Sequence, residues 1–268
     1  MTLLHLFLVA VIQGVTEFLP ISSSGHLILL PGLTGMEDQG QIIDVAVHVG
    51  TLGAVVLYFW RDVGTALIGF GHLAAGRRDT GAARLALGLT IATIPVVLLG
   101  LALNLSGLDT AMRSVAVIGW TMLGFGLVLY WADHKGASRL AAADWSVRHA
   151  LIMGLWQAVA LIPGTSRSGI TITGARLLGY DRSEAARLSM LMSIPITLAT
   201  GALLAKDVAG STLSPEFLTN AAIAAVLAFG AAYLTLALMM RLLNRVSFTP
   251  YVIYRVILGA VLLGIAYS

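Results

Sequence analysis

QGVTEFLPISSSGH, Gln13 to His26, interrupts an apolar run with a carboxylate, a proline, three serines and a histidine. QAVALIPGTSRSG, Gln157 to Gly169, interrupts another run in the same manner 144 residues later. In register, Gln13 meets Gln157, Ser22 meets Ser166, Ser24 meets Ser168 and Gly25 meets Gly169. Each copy has a proline just ahead of its serines, Pro20 and Pro163, one position out of register. Proline removes a helical hydrogen bond and clashes with the preceding turn, so each stretch breaks a helix. Two such breaks point to a buried polar site built from both halves of a duplicated chain.

The surrounding composition identifies the solvent. Of 268 residues, 58% are hydrophobic and 11% charged, against about 25% charged in a soluble domain. Mean hydropathy is +0.90. Apolar runs exceed the ~20 residues that cross a bilayer, and they are continuous rather than alternating, which predicts helices and not barrel strands. The 29 glycines suit close helix–helix contact in lipid. No cysteine is present, so thiolate and disulfide chemistry are excluded. A net charge of +3 gives no reason to expect a nucleic-acid partner. The N-terminal run lacks a basic flank and leads into Glu17 and Pro20, so it reads as a membrane segment rather than a cleaved signal peptide.

Six stretches read as full spans: 42–60, 85–104, 113–132, 184–206, 219–241 and 250–267. Two others, 2–35 and 148–180, carry the breaks. A broken single span would leave backbone groups unsatisfied in lipid, at several kcal/mol each. Each therefore reads as a re-entrant helical hairpin whose tip is packed in protein. With the 61–84 loop inside, Arg61, Arg77, Arg78, Arg84, Lys135, Arg139, Arg148, Arg176, Arg182, Arg187, Arg241 and Arg245 lie on or near that side, as the positive-inside rule asks. Arg113 and Lys206 fall at outer ends, and Arg255 begins the last span near the inner side. Both termini then face outward. The fold expected is an all-α integral membrane protein, with repeat one at 1–132 and repeat two at 148–268 in inverted topology. Such repeats place sites near the midplane, where broken helices meet. Segment 133–147 reads as a polar linker. Pro95 and Pro195 read as kinks, and the five tryptophans mostly as interface anchors.

Glu17 follows Gln13 by one helical turn, so both project from one face. A carboxylate deep in a membrane segment is costly, which makes it a functional candidate. The bland alternative is a partner on a neighbouring helix. Ser22, Ser23 and Ser24 can bind an anion through hydroxyls and backbone N–H groups, or simply cap a helix. A serine is a nucleophile if a base is near, and Glu17 and His26 are the local bases. His26 could instead donate a proton to a leaving group. Arg167, between Ser166 and Ser168, suits bidentate phosphate contact. Its bland partner is Glu17, and both readings can hold: an ion pair when empty, with phosphate competing when bound. Thr165, Ser166, Ser168 and Gly169 complete the second tip. Thr171 and Thr173 are weaker candidates, because hydroxyls in membrane helices bond back to carbonyls. Asp44 and His48, one turn apart, could line the outer mouth. No metal-ligand spacing is evident, although Glu17 could share a divalent ion with a diphosphate.

At these residues the chain resembles the undecaprenyl-diphosphatase family of bacterial membrane proteins, associated with bacitracin resistance. Gln13 to Glu17 matches the family's (E/Q)xxxE pattern, Phe18 to His26 its following run, and Pro163 to Gly169 its second motif. Further similarity falls at Val47–Trp60, Ser193–Pro195, Ser247–Pro250 and Tyr254–Arg255. Gln13 stands where some members carry glutamate, which leaves Glu17 the sole carboxylate of that motif. The resemblance implies hydrolysis of undecaprenyl diphosphate to undecaprenyl phosphate, recycling a lipid carrier for cell-wall synthesis. It implies Glu17, Ser23, His26 and Arg167 as the essential set, with Gln13, Ser22, Ser24, Thr165, Ser166, Ser168 and Gly169 around the phosphate. It also implies a divalent cation, Mg²⁺ or Ca²⁺, tentatively on Glu17, and a plasma-membrane site opening to the periplasmic face. The partners expected are the polyprenyl diphosphate, membrane lipids and, as an oligomeric option, a second copy in a homodimer. The competing reading is a lipid-phosphate flippase, since inverted repeats with paired hairpins are also transporter architecture.

Overall fold

The structure, a computed structural model, describes residues 2–27, 30, 40–108, 112, 114–208 and 215–268. Its helices are α1 (Leu3–Thr16), α2 (Ser23–Leu27), α3 (Gln41–Tyr58), α4 (Trp60–Ala74), α5 (Gly81–Ser106), α6 (Val115–Lys135), α7 (Val147–Val159), α8 (Arg167–Leu178), α9 (Arg182–Val208), α10 (Pro215–Leu242) and α11 (Thr249–Tyr267). Five of them, α5, α6, α9, α10 and α11, are long and apolar enough to cross a membrane alone. The chain is an all-α integral membrane protein. Arg113 and most of the return arm of the first hairpin lie outside the described residues.

The sixth expected span differs from its sequence reading. α3 stops at Tyr58, and α4 departs at 88° to it. The 61–84 stretch, expected as a loop, therefore carries a 15-residue helix. The cause is amphipathicity. Ala66 and Gly69 are buried against α5, while Trp60, Leu67, Ile68 and Phe70 are exposed. A helix with one apolar face and polar ends lies along an interface rather than across it.

Packing interlocks the two halves. α1 packs on α10, and α7 packs on α5. The first arm of each broken stretch thus rests on a span from the other half of the chain. Small residues allow the approach. A Cβ on Gly14 would sit 2.7 Å from the Ala231 methyl, and one on Gly154 2.7 Å from the Ala92 carbonyl. α6 packs on α11, and both reach the central tips.

At the far end of α6 a buried ion cluster ties the bundle. Asp133, 2% exposed, accepts from Arg176 Nε at 3.1 Å, Arg182 Nε at 2.7 Å and the Phe248 N–H at 3.1 Å. The 133–147 stretch is therefore not wholly a linker: it begins inside α6, with a residue that fastens α6, α8, α9 and the start of α11. Trp145 is also buried, with Gly88 set against its ring, so it is no interface anchor.

Candidate functional site

Each broken stretch makes the same local structure. α1 ends where Pro20 cannot continue it, and α7 ends ahead of Pro163. The chain then turns through Ser22 at φ 73° and Ser166 at φ 69°, the only positive-φ residues other than glycine among those described. Left-handed backbone at a non-glycine residue costs of order 1–3 kcal/mol and persists only where surroundings enforce it. Here the surroundings are the opposite tip. Ser24 Oγ accepts from the Gly164 N–H at 3.2 Å, and Ser168 Oγ donates to the Leu19 carbonyl at 2.9 Å. Within each tip, Ser22 pairs with Ser24 at 3.0 Å and Ser166 with Ser168 at 3.2 Å.

The tips meet around a polar cavity of about 150 Å³ lined by Thr16, Glu17, Ser22, Ser23, Ser24, Ala160, Pro163, Gly164, Ser166 and Arg167. Glu17 and Arg167, 150 residues apart, form an ion pair at its wall through Oε1 and Nη2. The remaining contacts hold that pair in place. Arg167 Nη1 donates to Thr197 Oγ1 at 2.9 Å, and Gln13 Nε2 donates to Glu17 Oε2 at 2.7 Å. Gln13 also contacts His48 Nε2 at 3.2 Å. His48 Nδ1 lies 2.7 Å from the Asp44 carbonyl, which requires the proton on Nδ1 and leaves a lone pair on Nε2. His48 is therefore joined to the Glu17 network, not only to an outer mouth.

Ser23 lines the cavity, and its hydroxyl has no hydrogen-bond partner among the described residues, unlike Ser22, Ser24, Ser166 and Ser168. His26 turns the other way. Nδ1 donates to the Ser22 carbonyl at 2.7 Å, and Nε2 accepts from the Tyr254 hydroxyl at 2.6 Å, with the two rings parallel. His26, Gln13, Thr165, Ser168 and Gly169 are not among the lining residues. Thr165 is fully buried, and its hydroxyl lacks a partner among the described residues. Thr171 and Thr173 bond back to the carbonyls of Arg167 and Gly169 at 2.8 and 2.7 Å.

Sequence reasoning assigned no role to Thr197, Thr121, Tyr254 or Arg255. Thr121 Oγ1 donates to the Pro163 carbonyl at 2.6 Å. Arg255, expected near the inner side, is wholly buried, and its guanidinium reaches both tips. An arginine inside an apolar run was the available signal. A larger groove, about 600 Å³, lies between α3, α4, α5 and α9. Its only polar side chains, Thr90 and Thr93, bond back to their own helix, so it offers no group for anion chemistry.

The family model described as "Bacitracin resistance protein BacA" matches residues 6–261. A Dinoroseobacter shibae protein named undecaprenyl-diphosphatase is 70% identical over the full length of both chains. One of the same name from Ruegeria pomeroyi is 68% identical, again over both full lengths. Undecaprenyl-diphosphatase 1 of Rhodospirillum rubrum is 48% identical over all of this chain and 96% of its own.

Proposed function

The chain belongs to the bacitracin resistance protein BacA family, and on that footing we propose that it hydrolyses undecaprenyl diphosphate to undecaprenyl phosphate and inorganic phosphate. The observation that carries this reading is the Glu17–Arg167 pair, drawn from two distant tips to the wall of a polar cavity inside an apolar molecule. A guanidinium in low dielectric needs an anion, and a phosphate oxygen competes with Glu17 for Arg167. Arg167 holds the terminal phosphate, and the exposed N–H groups at the start of α8 add fixed dipoles. Ser23, with its hydroxyl uncommitted, attacks phosphorus or orients an attacking water. Glu17, at the same cavity wall, takes the proton. The bond to the terminal phosphorus breaks, and the lipid leaves as its monophosphate. His26, tied to Tyr254 and Ser22, supports the first tip.

The residues present fit a divalent cation. The Gln13 side chain is fully buried, and its amide oxygen has no partner among the described residues. The same amide lies within 2.7 Å of Glu17 and 3.2 Å of the His48 lone pair. Glu17, Gln13 and His48 would hold the ion. When bound it neutralises charge on phosphate oxygens.

The same reading places the protein in the bacterial plasma membrane, with the cavity opening outward and both termini outside. The arginine distribution supports this orientation. Inverted repeats are supported by the exchange of contacts in which α1 rests on α10 and α7 on α5. The deciding experiment is phosphate release by detergent-solubilised protein given a prenyl diphosphate. Turnover is expected in the parent and lost in Arg167→Ala. Parent-like turnover by purified Arg167→Ala overturns the assignment.

A further inference from the structure

Arg255 is 0% exposed, and among the described residues it forms no ion pair. Every contact of its guanidinium is to a backbone carbonyl. Nε donates to Met122 at 3.2 Å. Nη1 reaches Pro20 of the first tip at 3.4 Å. Nη2 reaches Thr121 at 3.4 Å, and Gly164 and Thr165 of the second tip at 3.2 and 2.9 Å. Both tips thus share one cation, carried by α11, at their backs. The packing leaves no slack there, since a Cβ on Gly169 would stand 2.8 Å from Nη1.

Two features of this arrangement exceed what a structural cross-link requires. Neutral donors would satisfy four or five carbonyls, whereas a buried guanidinium without a carboxylate carries a heavy desolvation cost. That cost is offset only where an anion comes close. Gly164, whose carbonyl Arg255 holds, lines the cavity. The second feature is the direction of the captured peptides. In a trans peptide the N–H opposes the C=O. Holding the Thr165 carbonyl therefore turns the N–H of Ser166, a cavity residue, away from Arg255.

We propose that Arg255 is a positioning residue for the phosphate-transfer site. It locks the two tips in register through Pro20, Gly164 and Thr165, and it supplies a second fixed positive charge behind the cavity. Arg167 and Arg255 against Glu17 leave the site one positive charge in excess, suited to a diphosphate rather than a neutral headgroup. This inference rests on the phosphatase reading above.

The test uses the full-length protein in detergent. Parent, Arg255→Gln and Arg255→Lys are compared for thermal unfolding, prenyl diphosphate turnover and inhibition by methylene diphosphonate, which binds without reacting. Arg255→Gln is expected to lose about 100-fold in kcat, because misplacing a reacting group by an ångström costs that much. Its diphosphonate affinity should fall about tenfold, the scale of one nearby charge at partial burial. Arg255→Lys keeps the charge but not the span of the fork, so diphosphonate affinity should return while kcat stays depressed. That split between binding and turnover is one that general destabilisation does not produce. Should Arg255→Gln fail to fold, Gly169→Ala presses on Nη1 without removing it, and it should lower kcat while diphosphonate affinity holds. Parent-like kcat and affinity in folded Arg255→Gln, or in folded Gly169→Ala, overturns the proposal. Absence of turnover in the parent would instead overturn the phosphatase reading, while the diphosphonate comparison still reports on Arg255.

Discussion

Two buried carboxylates in this molecule bind arginine, and they do so to opposite ends. Asp133 is saturated: two guanidiniums and a backbone N–H fill it. Arg176 beside it spends its donors on Asp133, Ser138, Gly136 and Tyr180. Glu17 and Arg167 are left partly open, at 9% and 23% side-chain exposure, on the wall of a polar cavity. A closed network rigidifies and has nothing further to bind. An open one beside a cavity is poised to exchange a partner, and a phosphate is the exchange that suits an arginine. An ion pair in a membrane protein is thus informative less by its presence than by what remains unsatisfied around it.

The comparison breaks most sharply at Arg167. Arg167→Ala should lower turnover about 10³-fold, the scale of removing a principal donor to developing charge. Stability should fall less than in the Asp133 variant, because Gln13 still donates to Glu17 and the cavity admits water. Phosphate release and thermal unfolding, measured on one preparation, check both halves.

Asp133→Asn should show the reverse. It leaves Arg176, 2% exposed, without its carboxylate, and breaking such a buried pair costs about 3–5 kcal/mol. Turnover per folded molecule should stay at the parent value. A loss of kcat in material that remains folded would show that the inner cluster is coupled to the site.

The two clusters also differed in how far sequence revealed them. Glu17 and Arg167 stood out because each tip is a local break, and the duplication put the two breaks in register. Their pairing was the alternative weighed from the start, and the structure shows it. Asp133 did not stand out, because it borders a polar stretch where a charge normally meets water. Its burial is set by Arg176 and Arg182, more than forty residues away. Spans were legible to within a few residues wherever apolar length decided them. The exception was 42–60: its apolar run ends in a residue pair, Phe59–Trp60, that sequence cannot distinguish from an interface anchor. There an 88° turn begins α4. Tyr254 and Arg255 were visible only as part of a motif, since their targets lie in tips that precede them by 90 residues or more.

A smaller effect sharpens the metal side of the open cluster. His48→Ala removes a lone pair facing Gln13 and should weaken Mn²⁺ binding about tenfold, the low end for outer supports of a metal site. Electron paramagnetic resonance of added Mn²⁺ reads this without turnover. Unchanged affinity would remove His48 from the ligand set and leave Glu17 and Gln13.

Tyr254→Phe is the mildest and asks what His26 does. The Tyr254 hydroxyl donates to Nε2, and Nδ1 donates to the Ser22 carbonyl, so the ring links α11 to the residue with left-handed backbone beside Ser23. Losing one neutral hydrogen bond is worth about 1 kcal/mol, which corresponds to roughly fivefold in kcat if all of it reaches the transition state. If His26 acts only by holding the tip against Tyr254, the double variant His26→Ala with Tyr254→Phe should be no worse than His26→Ala alone, because both remove one shared interaction. Additive losses would mean that His26 does chemistry of its own on the phosphate. The first tip would then be as open as the Glu17–Arg167 pair it carries.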